Sequence, residues 1–170
     1  MPKLKAKGLK VLWIVHIFLT ITMVGGVVCN SILLSIIPNE PSELLPGLWG
    51  SIKIIDAYCI LPAGLLFLVS GLIYGFFTNW GFFKYPWIII KWIGMFSILG
   101  LTRGFIGRNI AEVITLVNSN PAQAISNSTY QNWLSEFRLY YFAALGIMLL
   151  LVVISKIKPW SKLRINNLAK

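Results

Sequence analysis

A chain of 170 residues that is 57% hydrophobic and only 12% charged, with a mean hydropathy of +0.78, carries too little charge to coat a soluble globule. Its formal charge of +10 is gathered beside the ends of apolar runs. That distribution fits membrane topology and anionic lipid, and it argues against a nucleic-acid-binding surface. Residues 1–170 therefore read as a single integral membrane domain.

The elements follow in chain order. Lys3, Lys5, Lys7 and Lys10 precede a first apolar span over about residues 9–37. A basic start followed by an apolar run resembles a signal peptide. This run is too long for one and no A-x-A site follows, so it reads as an uncleaved span. Pro38, Pro41, Pro46 and Gly47 then mark an outer loop from Pro38 to Lys53, with Trp49 suited to the membrane interface. The second span covers 54–77, and Pro62 is expected to kink it, leaving a backbone carbonyl to be satisfied by neighbours. A short connection, Asn79 to Tyr85, carries Lys84. The third span, 86–117, is long and holds Arg103, Arg108 and Glu112 in its second half, with a bend expected near Gly100, Gly104 or Gly107. A polar connection from Asn118 to Trp133 contains Asn127-Ser128-Thr129, which matches a glycosylation acceptor. The fourth span covers 137–157, and Lys156, Lys158, Lys162, Arg164 and Lys170 follow or end it.

A span needs about 20 apolar residues, and each of the four qualifies. The fold expected is all-α, a four-helix transmembrane bundle. An even number of spans brings both basic ends and Lys84 to one side, with no acidic residue among them. The positive-inside rule places that side, and both termini, in the cytoplasm. Gly71/Gly75 and Gly100/Gly104 are small-xxx-small pairs that let helices approach closely and suit a homodimer. Trp13, Trp80, Trp87, Trp92 and Trp160 are expected as interface anchors, and Cys29 and Cys59 as small packing residues.

Two ionisable residues, His16 and Lys91, lie a few positions inside apolar runs, where charge is costly and a functional role is the first hypothesis. Thr20, Met23, Val27 and Asn30 share the helical face of His16, so this stripe should point inward. A neutral imidazole can ligate haem iron or another metal, move protons, or simply hydrogen-bond to a neighbouring helix. Lys91 sits at comparable depth and either meets His16 around one ligand or lifts its ammonium to the headgroups. An outer group of Lys53, Asp56, Arg103, Arg108, Glu112, Glu136 and Arg138 suits either an anionic ligand or mutual charge pairing. There is no second histidine, so Lys91, Met23 or Met95 would be the other axial ligand if haem were six-coordinate within one chain. One histidine and two separated cysteines make a poor copper site.

Several stretches together resemble a known group. They are Leu12-Trp13-Ile14-Val15-His16, Gly25-Gly26, Leu61-Pro62-Ala63-Gly64, Pro86-Trp87-Ile88-Ile89-Ile90-Lys91 and Pro159-Trp160. The chain is similar, over about residues 8 to 160, to bacterial four-helix integral membrane proteins of the DUF2269 type. These are in turn distantly similar to HemJ-type protoporphyrinogen oxidases and CopD-like membrane proteins. The resemblance implies a multi-pass protein of the bacterial plasma membrane. By position, the histidine of the first span and the lysine of the third in HemJ-type proteins map to His16 and Lys91. It therefore implies a haem or other tetrapyrrole ligand at His16 and Lys91, with His16 as the metal ligand. Ser97 to Arg103 holds no histidine where HemJ-type proteins have one after the lysine. The implied property is thus tetrapyrrole binding rather than oxidase catalysis, and no catalytic residue is assigned. The alternative left open is a non-enzymatic membrane subunit, scaffold or small-solute permeation component. The partners expected are membrane lipid, a tetrapyrrole and a second copy of the chain.

Overall fold

A computed structural model describes residues 3–101 and 107–158, and no β-strand occurs among them. The helices are α1 (Ala6–Ile36), α2 (Leu45–Ile55), α3 (Leu61–Phe77), α4 (Pro86–Leu101), α5 (Gly107–Ser119), α6 (Pro121–Ser126) and α7 (Ser128–Ile157). A π-helical turn, Asp56–Ile60, joins α2 to α3. Three runs are long and apolar enough to cross a membrane: Ala6–Asn39, Ser42–Phe77 and Ser128–Ile157. Only 28% of the most apolar window of the first is buried inside the protein, so most of that apolar surface faces outward. An outer surface of Trp13, Phe18, Ile21 and Ile32 has its natural solvent in lipid.

The stripe on α1 faces inward as its spacing requires. Met23, Val27 and Asn30 are buried, and His16 and Thr20 half-buried, while Phe18 and Ile21 between them are exposed. α1 packs against α3 and α7, and α4 packs against α7. Gly26 allows the close approach to the π turn: a Cβ there would stand 2.7 Å from Ile60 Cγ1. The Leu4 N–H donates to the Phe77 carbonyl at 3.0 Å, tying the start of α1 to the end of α3.

Several elements depart from the sequence reading. The segment Pro38–Lys53 is mostly helical: two 3₁₀ turns, Ile37–Asn39 and Ser42–Leu44, lead into α2. Pro46 lies in the first turn of α2, where a missing N–H costs nothing. Trp49 is fully buried rather than interfacial, with its Nε1 donating to the Tyr130 hydroxyl at 3.1 Å and its ring edge-on to Phe137. Trp87 is buried as well. The polar connection is likewise structured, with Asn127 capping α7 by accepting from the Thr129 and Tyr130 N–H groups.

The expected kink at Pro62 takes the form of the π turn just before it. Proline has no N–H to give to the carbonyl four residues back and its ring crowds that carbonyl, so the turn widens and the Leu61 N–H bonds to the Asp56 carbonyl instead. α4 has 16 residues, about 24 Å, short of the ~30 Å of hydrocarbon. α5 packs on α2 and α6, with Val113 and Val117 fully buried. The bend expected in the third span near Gly100, Gly104 or Gly107 falls on a stretch whose residues 102–106, including Arg103 and Gly104, lie outside the described residues. So do Pro159, Trp160 and the basic residues after them. Gly71 and Gly75 face Trp92 and Phe82 of the same chain. Cys29 and Cys59 are both exposed, so neither is a core packing residue.

Candidate functional site

His16 sits on the inward stripe of α1 opposite α3. Its ring stacks on Phe67 at 4.3 Å between centroids and meets the edge of Tyr74 at 5.4 Å. Its Nδ1 lies 2.7 Å from Ser70 Oγ. The direction of that bond follows from proton counting. A serine hydroxyl has one proton, and Ser70 gives it to the Phe67 carbonyl at 2.7 Å. Ser70 Oγ must therefore accept, and the His16 Nδ1–H must donate. In a neutral imidazole this leaves Nε2 as the lone-pair nitrogen. Ser70 is buried and held within its own helical turn, so it fixes both tautomer and ring orientation. Metal-ligating histidines are commonly held in this way through the other ring nitrogen.

Lys91 comes from α4, which is not among the main packing partners of α1. Among the described residues no hydrogen bond joins Lys91 and His16. The connection runs instead through aromatic rings. Lys91 Nζ stands 5.4 Å from the centre of the Trp87 ring, and Lys158 Nζ stands 5.8 Å from the same ring. Lys158 also sits 4.8 Å over Trp80, Trp80 stacks on Tyr74 at 5.6 Å, and Tyr74 reaches His16. Lys158 is the C-cap of α7 in a left-handed conformation, φ 48°, where glycine is usual. Two ammonium groups thus share one tryptophan ring at the end of the molecule that carries His16. Trp80 and Lys158 were read from the sequence only as an interface anchor and a topology charge, and Ser70, Phe67 and Tyr74 were not singled out by it. The signal that could have found them is the i, i+3, i+7 spacing of Phe67, Ser70 and Tyr74 on one face of α3.

Met23 and Met95, the other candidate axial ligands, are buried core residues. In the outer charged group, Lys53, Glu112 and Glu136 are exposed, while Asp56 and Arg138 are half-buried. Among the described residues no group of three or more His, Cys, Asp or Glu side chains is placed to hold a metal ion. A single histidine ligand with a metal-bearing cofactor is a different case, because the cofactor brings its own donors.

A second polar centre lies at the other end of the same α1 stripe. Asn30 is fully buried, and its Nδ2 faces three oxygens: Ile52 O at 3.3 Å, Asp56 Oδ1 at 3.2 Å and Tyr141 Oη at 3.2 Å. Tyr141 donates to Asp56 Oδ2 at 2.5 Å, a charge-assisted length. Asn30 Oδ1 is buried with no hydrogen-bond partner. Leaving such a group unpaired costs about 1–3 kcal/mol.

In comparisons with known proteins, no family model, no curated protein and no solved structure matches this chain.

Proposed function

We propose that this is a multi-pass protein of the bacterial plasma membrane, a four-helix bundle with both termini cytoplasmic, that binds haem or another tetrapyrrole at His16. What supports this reading above all is the His16–Ser70–Phe67 relay, which leaves a neutral Nε2 lone pair on a ring already held in place. The neighbouring groups suit the same ligand. Phe67, Tyr74 and Trp80 offer aromatic surface, and Lys91 and Lys158 offer cations for the carboxylates that tetrapyrroles carry. The similarity to DUF2269-type and HemJ-type proteins points the same way. When bound, the group would supply one-electron chemistry, while the protein's part would be to ligate, orient and exclude water.

The test is the colour of the full-length protein purified in detergent after expression with ample haem supply. A Soret band that is lost in His16→Ala is the expected result. Colourless protein under the same conditions would overturn the reading and leave a non-enzymatic membrane subunit or small-solute permeation component in its place.

A further inference from the structure

We propose that Asn30, Asp56, Tyr141 and the Ile52 carbonyl form a binding site for a single alkali cation, independent of any ligand at His16. The centre is a compact group of oxygens from three elements: the carboxylate of Asp56 in the π turn, the Tyr141 hydroxyl on α7, and the Ile52 carbonyl on α2. Asn30 of α1 lies among them. Its two N–H protons face three oxygens, at 3.2–3.3 Å, longer than the usual 2.9–3.0 Å. Its own oxygen has no partner although the residue is fully buried. The amide therefore presents too few donors on one side and an orphaned acceptor on the other.

Rotating that amide by half a turn brings Oδ1 in among the other oxygens. Four oxygen groups then converge: an amide carbonyl, a backbone carbonyl, a phenol oxygen and a carboxylate. Apart from the Tyr141–Asp56 hydrogen bond they repel one another without a cation, and with one they form a hard-oxygen ligand set. The amide –NH₂ becomes the unpaired group in place of the oxygen, so the cost of the orphan is exchanged rather than added. The charge fits a monovalent ion. Asp56 contributes a single negative charge, and the side chains that hydrogen-bond to it, Tyr141 and Asn30, are neutral. A calcium or magnesium site would call for more carboxylate or retained water.

The π turn suits the role. Such turns interrupt α-helices at functional sites, and here the turn carries the carboxylate. Asp56 is half-buried, and Ala57, Tyr58 and Cys59 beside it in the turn are exposed.

The experiment is thermal unfolding of the full-length protein in detergent, at fixed ionic strength, with sodium or potassium chloride replacing choline chloride. A melting temperature that climbs with sodium, with potassium or with both, but not with choline, is the expected result. Asp56→Asn should abolish the rise, and Tyr141→Phe should move its midpoint to roughly tenfold higher salt, the ratio set by losing one modest interaction. Should Asp56→Asn fail to fold, the shifted midpoint in Tyr141→Phe decides the matter. Three results would overturn the proposal: no rise with either alkali cation in the wild type, an unchanged rise in Asp56→Asn or Tyr141→Phe, or a melting temperature that follows pH alone. Loss of the Soret band has no bearing on this readout, so the two sites fail separately.

Discussion

The two polar centres lie on one face of α1, fourteen residues or about 21 Å apart, and they are chemical opposites. The His16 end combines a lone-pair nitrogen, four aromatic rings and two ammonium groups, with no carboxylate hydrogen-bonded to any of them among the described residues. The Asn30 end combines oxygens and one carboxylate around a tightly packed core of Trp49, Ile52 and Tyr141. One helix therefore presents a basic, ring-lined environment at one end and an acidic, oxygen-lined one at the other. Burial separates them further. Trp49 is fully enclosed, whereas Trp80 is 39% exposed. The first end keeps a partly exposed ring surface, and the second is built into the fold.

That contrast can be broken by mutation. Trp49→Ala removes a fully buried ring and its bond to Tyr130, and should cost about 3–5 kcal/mol in unfolding by heat or denaturant. Trp80→Ala at the other end should cost clearly less. Equal losses would show that the two ends do not differ in packing. Ser70→Ala leaves the His16 Nδ1–H without its acceptor and should cost about 1–3 kcal/mol of stability; on the proposed reading it also weakens haem affinity about 10–100-fold, as loss of the group orienting a ligand does. Spectroscopic titration would read this, and unchanged affinity would remove Ser70 from the site. Gly26→Ala presses a methyl group on Ile60 and should destabilise by about 1–3 kcal/mol. Gly25→Ala, whose Cβ meets nothing within 4 Å, is the matched control in the same melts. The smallest effect belongs to Lys158→Ala, which loses two exposed cation–π contacts worth about 0.5–1 kcal/mol. A larger loss would mean that this lysine does more than cap α7.

The inward stripe of α1 was legible because a 3.6-residue period maps directly onto burial. The apolar runs behind α1, α3 and α7 were legible from their length alone, because crossing hydrocarbon takes about 20 apolar residues. α2 was not, because Pro41, Pro46 and Gly47 read as loop punctuation while Pro46 occupies a first-turn position where proline is harmless. Trp49 looked interfacial because its partners, Tyr130 and Phe137, come from a helix some 80 residues away in sequence. His16 could be singled out as an oddity, but its tautomer depends on a serine 54 residues later. Asn30 and Asp56 were each noticed, one on the stripe and one in the outer group. Their meeting with Tyr141 is a tertiary fact that no local pattern carries.

The π turn has a consequence for length variation. A turn closed five residues back holds one residue more than an α turn, so it stores a single-residue insertion without disturbing the helix on either side. Removing one of its exposed residues, such as Ala57 or Cys59, takes out that extra residue while α3 stays in phase with α1, at the cost of crowding Pro62 against the carbonyl behind it. Phe67, Ser70 and Tyr74 would then still face His16, and only the geometry around Asp56 would change. A one-codon deletion would thus perturb the Asn30–Asp56–Tyr141 centre while leaving the His16 end in register.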